Sequence, residues 1–279
     1  MKTNPSPRRA RAAFTREDLL AVVVFLLALL VLASMLLPAI GKKKAKSGSQ
    51  RCVGNQKQIG TAFRVFASDN DNRYPLETSN HPYIYPPGGS RTATGAVESS
   101  SAQTWQVFQS MWNELQSPKV LLCPQDTARI GAAGRVTDFN GLAGAPDVMT
   151  TNSLGHPSNQ NLAVSYAEQA LADESRPQGL LTLDRRINLA TAKTAPTRPP
   201  AASGRRFAIT SEQKARSVYW VGEPWSHNHG DKGVLSLADG SVQQADQQAL
   251  TEALLKAGTA YGWGIAASNG FGAAVFLLP

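Results

Sequence analysis

Four small groups of residues have types and spacings that could do chemistry. Glu17 and Asp18 stand side by side in "AFTREDLLAVVV", at the entrance to a long apolar run. Two adjacent carboxylates against such a segment are costly unless something meets them. "SHNHGD" offers His227, His229 and Asp231, and imidazole with carboxylate suits a divalent metal. Asp69 and Asp71 in "SDNDNR" begin like a calcium loop. Cys52 and Cys123 allow a single intramolecular pairing.

Each group has a plainer reading beside the chemical one. Two histidines just before a hairpin read more readily as structural or exposed side chains than as ligands. "DNDNR" lacks the glycine and the distal glutamate of a calcium loop, which favours a helix cap. A Cys52–Cys123 bridge, formed in an oxidising compartment, closes a loop of about 70 residues and contributes roughly 4 kcal/mol in the chain-entropy picture. Two buried free thiols are the alternative. No ligand spacing suggests zinc. No G-x-S-x-G, phosphate-cradling glycine loop or paired acid and base is present, so no enzymatic activity and no cofactor are expected.

The elements that must position these residues begin with Leu19 to Ile40, 22 residues without a charge. As a helix this run is about 33 Å long, enough to cross a hydrocarbon core. It is too long for a cleaved secretory signal, and no small-residue cleavage site follows it. Ten Lys/Arg within residues 1–51, against Glu17 and Asp18, account for the whole net charge of +8. Basic flanks on both sides of an apolar run suit anionic lipid headgroups. The remainder is neutral, so no nucleic acid is expected as a partner. Because both flanks are basic, charge alone does not set the orientation.

Val53, Ile59, Phe63 and Phe66 form a helical stripe that ends in "SDNDNRYP", where Asn and Asp accept left-handed geometry and Pro75 forbids continuation. Gly41 and Gly48 are candidate bends in the helix system. Residues 80–102 and most of 131–160 read as loop. Trp105, Phe108, Trp112 and Leu115 predict a helix over 104–116, stopped by Pro118, followed by a buried strand "VLLC". Strands are predicted at 162–167, 179–184, 205–209, 217–222 and 233–238. "VLSLADGSVQQ" predicts a hairpin turning at Asp239-Gly240 through positive φ. Asp246 then caps a helix running to Gly258. The tail "GFGAAVFLLP", too short to span a membrane, reads as a strand against the sheet.

Taken together, Ala13, Phe14, Thr15 and Asp18 ahead of "LLAVVVFLLALLVLASMLLPAI" resemble the prepilin-type leader of type IV pilins and type II secretion pseudopilins. The downstream "RCVGNQKQIGTAFRVFASDNDNRYP", "LLCPQD" and "HGDKGVLSLADG" are similar to large pseudopilin-like families with a C-terminal H-x9-DG motif, here His229, Asp239 and Gly240. The resemblance implies an α+β, pilin-like fold, a long N-terminal helix first transmembrane and then amphipathic, packed on an antiparallel sheet. It implies a basic leader at 1–13, a transmembrane helix at 14–41, a basic collar and amphipathic helix at 42–79, and a periplasmic domain at 80–279 with the motif hairpin near 229–243. A prepilin peptidase would cut between Ala13 and Phe14 and methylate the new amine, which puts the leader in the cytoplasm and the bulk of the chain in the periplasm of a single-pass inner-membrane protein. Partners would then be membrane lipid, the peptidase and other pilin-like subunits. The family has Gly where Ala13 stands and Glu where Asp18 stands.

Asp18 is the candidate assembly carboxylate, facing the Phe14 amine of a neighbouring subunit, with Glu17 beside it in the membrane interface, answered by Arg16 or lipid headgroups. The alternative is that both acids simply complement the helix dipole. Major pseudopilins hold calcium on C-terminal aspartates, so the resemblance leaves a weak calcium site around Asp239 open. An uncleaved, membrane-anchored periplasmic binding module is the other functional reading. A metal-dependent enzyme built on His227 and His229 is a more distant third.

Overall fold

The stripe that starts at Cys52 organises the fold, because the residues at its spacing are the ones a sheet covers. The computed structural model describes residues 16–78, 103–139, 150–170, 172–189, 205–209, 211–220, 232–261 and 274–279. Helix α1 runs Arg16–Asp69 as one element, so neither Gly41 nor Gly48 interrupts it. Contacts divide the chain into units Met1–Lys46 and Ser47–Pro279, which puts the boundary inside α1 and joins its amphipathic part to the folded remainder. Among the described residues no helix is long and apolar enough to cross a membrane. Within the apolar run the described side chains reach only to Ser34.

In the second unit, strands β1 (Tyr166–Gln169), β2 (Leu180–Asp184), β4 (Arg205–Ile209), β6 (Gly233–Leu237), β7 (Val242–Ala245) and β8 (Ala274–Leu278) form a six-stranded sheet. Its order is β4-β8-β1-β2-β6-β7, and every pairing is antiparallel. A separate two-stranded ribbon pairs β3 (Ile187–Leu189) with β5 (Val218–Trp220). The fold is therefore α+β with an antiparallel sheet. The apolar C-terminal tail is an interior strand, held between β4 and β1.

Apolar residues on both faces keep the central strands buried, so these strands read as continuous apolar runs rather than alternating ones. One face packs Tyr166, Leu181, Val234 and Leu277 with Ile59, Phe63 and Phe66 of α1. The other packs Ala167, Leu183, Leu235 and Phe276 with Ala215 of the short helix α5 (Glu212–Arg216) and with Leu250 and Leu254 of α6 (Gln247–Tyr261), while the short helix α4 (Ile130–Ala133) contributes Ala133 to the first cluster. A register shift between Leu180 and Thr182 turns Leu181 and Thr182 both toward α1. Phe63 meets Tyr74 and Phe108 edge-on, at centroid distances of 5.2 and 6.4 Å. Asp246 caps α6 as expected, accepting the Ala249 N–H at 3.0 Å, and the helix runs three residues past Gly258.

Three local expectations are corrected. The helix over 104–116 is broken at Met111 (φ −100°, ψ 27°) into α2 (Thr104–Ser110) and α3 (Trp112–Leu115). The break shifts the phase, so Met111 is buried and Trp112 is 43% exposed. "VLLC" is not a strand. Pro118 opens a 3-10 turn, Pro118–Leu121, with the Ser117 hydroxyl accepting the Lys119 N–H, and only Leu121 and Cys123 go fully inside. The strand predicted at 162–167 starts late: Leu162 and Ala163 close a 3-10 turn, Gln160–Ala163, and pairing begins at Tyr166.

Candidate functional site: a latch, a polar seam and a basic groove on one helix

The Asp239-Gly240 turn is a latch against α1. Leu237 and Ser241 close a three-residue hairpin loop, with Leu237 N–H bonded to Ser241 O at 2.9 Å and Gly240 N–H to Leu237 O at 3.0 Å. Only Gly240 takes positive φ, at 82°, and Asp239 instead accepts the Ser241 N–H through its carboxylate at 2.8 Å. A two-residue turn would have demanded positive φ of both residues, whereas a three-residue loop asks it only of the last. The Tyr74 hydroxyl donates to Ala238 O at 3.3 Å, and the Ala238 and Asp239 N–H groups bond Gly179 O and Pro177 O. A Cβ on Gly60 of α1 would lie 3.6 Å from Gly240 Cα, so helix and turn touch. Gly240→Ala is expected to destabilise the chain by about 1–2 kcal/mol, since the added methyl meets Arg64 only at an ordinary 3.6 Å and the strain is in the backbone. Thermal unfolding in detergent measures it.

Between α1 and the sheet runs a polar seam. Gln56 lies on the buried stripe and its amide donates to Val234 O at 3.0 Å, while its carbonyl accepts the Thr182 hydroxyl at 3.1 Å. Thr182 and Ser236 share a 2.7 Å hydrogen bond. Asp184 accepts the Val234 N–H at 2.8 Å. Burial lifts its carboxyl to about 7, with Asp126 adding to the rise and the Val234 bond, Arg186 and Arg185 opposing it. Burial likewise pushes Glu168 well above the carboxylate range. The Tyr166 phenol is raised by burial and further by Asp184. At the end of the seam Asp126, fully buried, takes a two-pronged bond from Arg185 at 2.7 and 2.8 Å. Buried Arg129 donates to Pro279 O at 3.0 Å.

Cys52 and Cys123 form a disulfide and both are buried. Outside it lies a groove of about 530 Å³ lined by Arg51, Gly54, Asn55 and Gln58 of α1 and by Lys119, Leu122, Pro124 and Ile130. Asn55 ties its two walls together by donating to Leu122 O at 2.7 Å.

Of the sequence-predicted site residues, Ala13, Phe14, His227, His229 and Asp231 lie outside the described residues. Glu17 and Asp18 occupy the first turn of α1 and are exposed. Among the described residues no group of three or more His, Cys, Asp or Glu is placed to hold a metal ion. Asp69 ends α1 and Asp71 lies in the turn that stops it, where Asn70 Nδ2 donates to Phe66 O at 2.8 Å. Asn72 N–H bonds Ala67 O at 2.8 Å, with Asp71 and Asn72 at φ 56° and 58°. Sequence reasoning passed over the seam. Its one legible sign is Gln56, a polar residue spaced four after Cys52 and three before Ile59, on a face otherwise apolar.

No protein-family model, curated protein or solved structure matches the chain.

Proposed function

We propose that the chain is a pseudopilin-like structural subunit of a type II secretion or type IV pilus-like system, anchored by its N-terminal helix in the inner membrane. The observation that carries this reading is the first half of α1. From Leu19 to Leu32 its large apolar side chains are between 44% and 66% exposed, on every side of the helix, with Glu17 and Asp18 in the first turn. A helix apolar all round requires lipid or other helices around it. The apolar run in the sequence continues to Ile40, long enough to span. The disulfide supports an oxidising, periplasmic location for the folded unit. A carboxylate at the edge of such a helix becomes tolerable when it meets a neighbour's terminal amine, which is the role proposed for Asp18, with Glu17 beside it. The work proposed for the chain is assembly, and the buried network serves to hold the head on its helix.

Mass spectrometry of the membrane-extracted protein tests the reading directly. The expected mature chain begins with methylated Phe14. An intact Met1 would assign the helix to anchoring alone, the behaviour of a membrane-held periplasmic binding module. Asp18→Ala is expected to lower the yield of cross-linked multimers about tenfold while leaving membrane insertion intact. Unchanged multimer yield would remove Asp18 from the assembly role.

A further inference from the structure

We infer that the basic groove beside the disulfide is a docking site for the acidic turn at Asp69–Asn72 of a second copy of this chain. The inference rests on the subunit reading above and names the contact through which heads would join.

The groove is positive and has an aliphatic side. Arg51 and Lys119 are both exposed on its rim, no carboxylate lines it, and neither cation has an acidic partner among the described residues. Ile130 is 44% exposed within it. Its occupant should therefore bring carboxylates on a compact backbone. The far end of the same helix offers this shape. Asp69, Asp71 and Asn72 are exposed, and their turn is fixed by the Asn72 N–H bond to Ala67 O and by Asn70 Nδ2 donating to Phe66 O, each at 2.8 Å. A turn already held in one geometry loses little entropy on docking. Glu114 is raised chiefly by burial and further by the Asp69 charge, which places a third carboxyl close to this turn.

One molecule cannot make this contact with itself. Arg51 and Asp69 are eighteen residues apart on α1, about 27 Å along the helix axis. The groove and the turn are different patches of one surface, so pairing them between copies is head-to-tail and continues without limit unless the rotation closes a ring. Exposed ion pairs contribute little singly. Here two cations act together beside an apolar contact, and the contact repeats at every subunit of an assembly whose helices also pack.

The test places a photo-activated cross-linking residue at Gln58, an exposed and uncharged position on the groove, in the full chain in its native membrane. The expected product is a dimer whose cross-linked peptide maps to residues 66–73 of the second copy. Asp69→Lys with Asp71→Lys should lower its yield about tenfold, as should Arg51→Glu with Lys119→Glu. Combining all four substitutions should restore it to within about twofold, which excludes misfolding as the cause of the losses. Cross-links confined to another protein, to lipid or to other segments of the chain would overturn the inference, as would a yield indifferent to either charge reversal. A dimer through 66–73 from chains that keep Met1 would support the contact while overturning the processed-subunit reading. Chains beginning at Phe14 that give no such dimer would do the opposite.

Discussion

Arg185→Met is expected to destabilise the folded unit by about 3–5 kcal/mol, the cost of leaving a buried carboxylate without its counter-charge. Asp126 is 1% exposed and Arg185 7%, and both oxygens of Asp126 are taken by the guanidinium. Removing Arg185 therefore strands a charge that water cannot reach. Asp126→Asn should cost less, because an amide can still accept one of the two bonds and the charge then left without its partner, the Arg185 guanidinium, is the more exposed of the two at 7%. Denaturant unfolding of the two variants in detergent measures both. A loss from Arg185→Met below about 1 kcal/mol would show that the pair is solvated and that this end of the seam is open, whereas equal and larger losses would show that the guanidinium is as costly to strand as the carboxylate.

The second large effect is a fall in stability as pH rises from acid toward neutrality. In the folded chain the Asp184 carboxyl is raised from 3.8 to about 7. Well below 3.8 the group is protonated in both states and contributes no difference. Between about 4 and 7 the unfolded chain releases the proton while the folded chain retains it, so unfolding is favoured progressively. Above 7 the full penalty is present, on the order of 4 kcal/mol at about 1.4 kcal/mol per pH unit. Glu168, raised by the same burial, acts in the same direction. Asp184→Asn should flatten the profile between pH 4 and 7, and Glu168→Gln should flatten what remains. A wild-type profile rising over that range, or a slope unchanged in Asp184→Asn, would place Asp184 in contact with water.

These two effects come from residues that the sequence disguises. Glu168 and Asp184, with Arg185 next to it, sit in or beside strands whose neighbours are apolar, and a lone acid in "SYAEQA" or "LLTLDRR" reads as the exposed side of a half-buried strand. The strands are buried on both faces, which depends on α1 and α6 arriving from opposite sides. No local pattern reports that. What was legible is what short-range physics decides. The stripe Val53–Ile59–Phe63–Phe66 repeats at the helical period, "ADG" demands a turn, Asp246 caps a helix, and the tail is too short and apolar for anything but a strand. The break at Met111 and the 3-10 turn at Pro118 escaped because both depend on which side chain the core accepts. Insertion of the tail between β4 and β1 is a long-range pairing that periodicity does not encode.

The disulfide has a mechanical consequence. Tension travelling up α1 from its N-terminal half enters the folded unit at Ser47 and meets the Cys52–Cys123 bond within two turns. Peeling the helix off the sheet from that end would have to stretch a covalent link before reaching Gln56, Ile59 or Phe63. Load is thus transferred to the segment around Leu121 and Cys123, and the core beyond it is sheared as a block instead of being unzipped. Reducing the bridge would remove this load path and leave α1 held to the sheet by packing and by hydrogen bonds such as those of Gln56, so the folded unit should resist traction less once its cysteines are reduced.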